Sequence, residues 1–248
     1  MHDVTAALRA SEQIPGWLMP EEAQRLYNLG FTAEADVLEI GTYHGKSTYL
    51  IARGLRDGSR PSRLITVDIH IGADGVILTP DPPAFLGQTL RTHQLDDLVV
   101  QVIGWSQIAV ATLDFNTIGA VFIDGGHEFD CVRRDIESVR PRLARDTLLL
   151  FHDYHPSFPG VQRAVDDLVR RDPGFSFVEL VHSLFICRMR PLRRQPTDLE
   201  SELLRQLSEV SAERAQWQAL AQALQASTSW RITEPLRRLM DWLRNRGG

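Results

Sequence analysis

The sequence predicts an α/β fold: a doubly wound sheet, mostly parallel, finished by a C-terminal antiparallel hairpin and followed by a helical C-terminal extension. Three observations carry this. Five short apolar runs, at residues 36–40, 64–68, 99–103, 120–124 and 147–151, alternate with amphipathic stretches near 46–56, 84–94, 106–113, 127–143 and 160–171. Strands alternating with helices make βαβ units and a parallel sheet. The runs are mainly apolar, as strands covered on both faces are. Two more runs, Phe175–Leu180 and Leu184–Met189, are separated only by Val181, His182 and Ser183. So short a gap holds no crossover, so these two pair antiparallel. The sheet is Rossmann-like up to that reversed ending.

Taken in order, residues 1–35 read as an N-terminal helical cap, with Pro20, Glu21 and Glu22 as a helix start and Gly30 as its stop. Residues 36–190 form the sheet domain. Residues 191–248 form a tail in which Leu203, Val210, Trp217 and Leu224 recur every seven residues, with Leu207, Arg214 and Ala221 between them. That is a coiled-coil seam with one charged flaw, or a long amphipathic helix. Thr233 caps a second short helix, with Pro235 in its first turn.

Composition narrows the function. The chain has 248 residues, 43% hydrophobic and 24% charged, with a formal net charge of −5. It is a globular chain with a core, and its negative balance argues against a nucleic-acid partner. Cys131 and Cys187 read as free thiols of a reducing compartment. No signal peptide and no apolar run of membrane-spanning length is evident, so the expected setting is cytoplasmic.

The chemistry gathers where strands end. After the first strand, Gly41 and Gly45 flank a turn into a helix starting near Lys46, so backbone amides face the edge where open α/β sheets bind ligands. The spacing from Gly41 to Gly45 is one residue short of a phosphate loop. Tyr43 stands where a dinucleotide fingerprint needs glycine against pyrophosphate. A ligand without pyrophosphate is therefore favoured. Asp68 ends the second strand, placed to accept two ribose hydroxyls. Glu39, on the first strand, suits an ammonium or sulfonium. Ser106 reads as a helix N-cap, and Trp105 either stacks on adenine or packs in the core. Asp124, with His127 opening the next helix, and the run His152, Asp153 and His155 share that edge. Imidazoles and carboxylates so gathered hold a divalent cation or run acid–base chemistry, with His127 as base. Residues 71–85, rich in Gly, Asp and Pro, follow Asp68 and either cover the cofactor or select the acceptor.

The stretches 16–22, 39–48, 122–127 and 151–154 together resemble a bacterial class I methyltransferase dependent on S-adenosylmethionine (SAM), of the domain type numbered 24, over residues 16–190. The resemblance implies that Glu39, Gly41, Tyr43, Gly45 and Ser47 surround the methionine part of SAM. It places Asp68 at the ribose, Ser106 near adenine and Asp124 beside the methyl donor. Around the last two motifs the chain is similar to metal-dependent sugar O-methyltransferases, which implies a site for a cation such as Mg²⁺ at Asp124 and Asp153. His152 stands where such enzymes often carry a second acid, which implies a softer metal or none. Residues 229–237 resemble a short segment found beside glycosyltransferase and surface-polysaccharide domains. The implied acceptor is a saccharide or glycan-lipid, and the implied setting is polysaccharide or glycoconjugate biosynthesis, including the inner membrane's periphery. The tail 192–248 is then a homodimer or glycosyltransferase contact. Two rivals stand beside this reading: an NAD-dependent oxidoreductase, and a non-catalytic assembly module.

Overall fold

In this computed structural model the chain divides into two compact units, residues 1–192 and 193–248. Residues 4–70 and 82–190 are described. The expected coiled coil, the Thr233 cap and most of the 71–85 loop lie outside the described residues.

Two helices open the chain, α1 (Val4–Ser11) and α2 (Pro20–Thr32). There follow β1 (Asp36–Ile40), α3 (Lys46–Gly58), β2 (Leu64–Asp68), α4 (Pro82–Thr92), β3 (Val99–Ile103) and α5 (Ser106–Ala109). The chain continues through β4 (Ile118–Ile123), α6 (Phe129–Val139), β5 (Leu148–Phe151), α7 (Pro159–Val165), β6 (Phe175–Val181) and β7 (Leu184–Met189). The sheet has seven strands in the order β3-β2-β1-β4-β5-β7-β6. The first five are parallel, and β7 runs antiparallel to both β5 and β6. The order reverses between β1 and β4, the crevice where doubly wound sheets bind ligands.

Strand parity sorts the core into two layers. Leu38, Ile40, Val67, Val121, Ile123, Leu149 and Phe151 pack with α6 and α7 on one face. Val37, Leu64, Ala120, Phe122 and Leu150 pack with α2, α3 and α4 on the other. Side chains two apart share a face. Glu39, Asp68, Asp124 and His152 therefore all carry the parity of the second layer. The ladder runs one residue past the strands: Asp124 N donates to Ile40 O at 2.8 Å and His152 N to Ile123 O at 3.1 Å. Four polar side chains thus come level at one edge, facing α2 and α3.

One expectation fails instructively. Gly30 does not stop α2, which runs on to Thr32. It is a packing residue: a β-carbon there would lie 2.0 Å from Ile51 O of α3, and one at Gly54 would lie 2.1 Å from Tyr27 O. The two helices meet backbone to backbone, which only glycine permits. That contact fixes α2 over the sheet edge.

Candidate active site

The glycine turn is built by close approach. Gly41 has φ +88, and a β-carbon there would sit 2.1 Å from Asp124 O, so β1 and β4 exit in contact. Beneath the turn Glu39 is fully buried, accepting hydrogen bonds from Ser47 Oγ at 2.5 Å and Thr48 Oγ1 at 2.7 Å. Burial pushes its carboxyl up to about 8 against these two bonds, with Asp124 and Asp68 adding to the rise. A cationic ligand above it would favour the charged form. Asp68 Oδ2 accepts from Thr42 N at 2.6 Å, Thr42 Oγ1 at 2.9 Å and Tyr43 N at 3.2 Å, and its Oδ1 accepts from His70 N at 2.7 Å. Glu39, Gly41, Tyr43, Gly45, Ser47 and Asp68 are therefore brought together around one turn. Within it His44 is buried between the rings of Tyr43 (4.0 Å) and Phe85 (4.8 Å).

Ser106 stands apart from this group. It does not cap α5; Trp105, with extended backbone, occupies the cap position. The Ser106 hydroxyl instead donates to Asp135. Trp105 is 53% exposed, which excludes the reading as a core aromatic. Asp135 is a buried acid the sequence reading passed over. Burial raises it to about 6 against the Ser106 bond. Its signal was its place among Val132, Ile136 and Val139 on the apolar face of α6.

The strand-end cluster is tighter. His152 is buried, with Nδ1 3.1 Å from Asp124 Oδ1 and 3.4 Å from Asp153 Oδ2. Its Nε2 lies 3.2 Å from Glu22 Oε2 of α2. Glu22 also accepts from Met19 N at 2.9 Å, Ser183 N at 2.8 Å and Ser183 Oγ at 2.8 Å. Burial opposes charge on both partners, yet the hydrogen bonds outweigh it. Glu22 is held below the usual carboxylate range and His152 well above the usual imidazole range. Burial raises Asp124. Asp153 falls despite burial, because His127 and His152 both donate to it.

His127 precedes α6 rather than opening it, since the helix begins at Phe129. Its Nε2 lies 2.9 Å from Asp153 Oδ2, its ring meets Phe158 edge-on at 4.7 Å, and half of it is exposed. The bond to Asp153 raises its pKa against burial. Held this way, the imidazole keeps its proton on Nε2 and offers the Nδ1 lone pair outward, the arrangement of an oriented general base. His155 does not join the cluster; its Nδ1 accepts from Ser157 N at 3.2 Å. A small recess lined by Asp124, His127 and His152 together with the apolar Ile123, Val132, Phe151 and Val161 lies beside the cluster.

Asp124, His152 and Asp153 also fit a cation. Each offers one ligand atom, all within 4.8 Å of one another. Bonds of about 2.0–2.2 Å set neighbouring ligand atoms roughly 3–3.5 Å apart, the spacing of His152 Nδ1 to both acids. Glu22 on Nε2 is the outer carboxylate that fixes the tautomer of a ligating histidine. An imidazole nitrogen in the set suits Zn²⁺ or Co²⁺ better than Mg²⁺, which prefers oxygen and near-octahedral geometry.

Residues 38–154 match the profile of a family described as "Methyltransferase domain". Among solved structures, the O-methyltransferase from Bacillus cereus in complex with SAH shares 20% identity at a TM-score of 0.56, covering 75% of this chain and 90% of that one. The O-methyltransferase TomG from Streptomyces achromogenes, in complex with SAM, shares 19% at a TM-score of 0.53, covering 77% and 91%. CalS11, a TDP-rhamnose 3'-O-methyltransferase of calicheamicin biosynthesis, shares 18% at a TM-score of 0.54, covering 76% and 96%. All three share the fold.

Proposed function

We propose that this chain, whose residues 38–154 match a methyltransferase domain, is a class I, SAM-dependent O-methyltransferase whose acceptor is a hydroxyl of a saccharide or glycan-type molecule. The observation that carries the O-transfer chemistry is the Asp153–His127 pair at 2.9 Å beside the glycine turn. The sugar-methylating fold neighbour supports the acceptor class. In this reading the chain acts in the cytoplasm, in glycoconjugate assembly, with residues 192–248 as its docking segment.

When bound, SAM supplies a methyl group made electrophilic by a sulfonium. The rest falls to this chain. Glu39, fully buried under the turn, supplies negative charge beneath the sulfonium and ammonium. Asp68 exchanges the Thr42 and Tyr43 amides for the ribose hydroxyls. His127 Nδ1 would take the acceptor proton on transfer, the new oxygen–carbon bond replacing the carbon–sulfur bond, whose electron pair would stay with sulfur. Asp153 holds His127 in the required tautomer. Asp124, His152 and Asp153 would hold a divalent cation, which lowers the acceptor hydroxyl's pKa.

Two tests follow. Asp68→Ala raises the SAM dissociation constant about tenfold or more, for the loss of a charge-assisted hydrogen-bond acceptor, measured by calorimetry; an unaltered constant refutes the ribose assignment. Labelled SAM is also incubated with glycan fractions before and after chelation. Label is expected on a sugar oxygen. Turnover falls in chelator and returns more fully with Zn²⁺ or Co²⁺ than with Mg²⁺. Transfer indifferent to chelator assigns His152 to a purely imidazolium role.

A further inference from the structure

A large aromatic side chain stands at the rim of the site with no partner in the core. Trp17 is 80% exposed. Its backbone is nevertheless pinned. Lys46 Nζ donates to Gly16 O at 3.1 Å, Leu18 packs into the α2–α3 core layer, and Met19 N donates to Glu22. One face of the indole stacks on Tyr43 of the glycine turn, with centroids 5.6 Å apart and planes at 30°. Among the described residues Tyr43 is the ring that Trp17 stacks on. Two hydrogen bonds, Met19 to Glu22 and Glu22 to His152, separate this segment from the catalytic cluster. In the first turn of α2 Glu21 is exposed and lies 3.1 Å from His182, also exposed.

An exposed indole, held by its backbone and stacked on the glycine turn, is a surface for a flat, C–H-rich ligand. The electron-rich face of indole attracts the polarised C–H bonds of a pyranose. We propose that Trp17 is the platform of the acceptor subsite and seats a sugar ring of the acceptor over the glycine turn. This rests on the saccharide reading above and adds the residue that does the recognising. Tyr43 then serves both sides: it borders the cofactor turn and backs the platform.

The test compares wild type, Trp17→Ala and Trp17→Phe, with methyl rhamnoside, methyl mannoside and catechol as acceptor probes. Trp17→Ala is expected to raise the KM for a glycoside about tenfold with kcat within about twofold. Trp17→Phe restores most of the loss. The dissociation constant for SAM is unchanged in both. Equal glycoside kinetics in wild type and Trp17→Ala overturn the role of Trp17 and leave the saccharide reading standing. A parallel loss of SAM affinity also overturns it, by assigning the indole to the cofactor. Transfer by the wild type to catechol and to neither glycoside overturns the saccharide reading, and the platform with it.

Discussion

Replacing His127 with alanine lowers turnover by about 10²–10⁴-fold, the usual worth of a positioned general base, and leaves SAM binding in place. His127 is half exposed and its partners are Asp153 and the edge of Phe158, so the variant keeps its fold. The pH profile carries the same signature. In the proposed role His127 is a base only when neutral, and Asp153 raises its pKa above the ordinary 6.5. In wild type, kcat/KM therefore rises with pH through a midpoint above 6.5, and this limb disappears in the variant. Turnover unchanged at saturating acceptor removes His127 from the role.

The largest loss of stability is expected at Glu22. Glu22→Ala leaves His152 Nε2, Met19 N and both Ser183 donors without their acceptor. Breaking a buried charged pair from one side costs about 3–5 kcal/mol, a fall in Tm on the order of 10 °C for a domain of this size. The sign with pH follows from the shifts. The folded pKa of Glu22 is depressed, so its contribution is present above about 4.5 and is lost as pH falls towards the folded value. The folded pKa of His152 is raised, so its contribution is full below 6.5 and fades only as pH climbs through the higher folded value. Both are present between those limits. Urea melts of wild type between pH 6 and pH 3 should show the acid loss, and Glu22→Gln should flatten it. A Glu22→Ala protein with wild-type stability at pH 6 would dismiss the account.

Much of this was legible in the chain. The spans of β1, β2, β3 and β7 in the structure are those of the apolar runs; β1, β2 and β7 are mostly buried, whereas β3 is an edge strand with Val100 and Ile103 exposed. Glu39, Asp68, Asp124, His152 and Asp153 were legible because they end such runs. What failed were features set by tertiary contact. Gly30 looked like a helix stop until a neighbouring helix explained it. Ser106 looked like a cap because capping is local, whereas its partner Asp135 is brought from α6. Glu22 looked like a helix-start acid; nothing nearby in sequence announces that it reaches His152, 130 residues away.

The bonds of Glu22 have a consequence for biogenesis. The carboxylate that steadies His152 is translated 130 residues ahead of it, and the Ser183 hairpin tip that clamps it follows 161 residues after Glu22. Until that tip leaves the ribosome, the nascent chain has strands to pair but no finished catalytic edge. A polypeptide truncated before Ser183 would therefore lack two of the donors that hold Glu22 in place against His152.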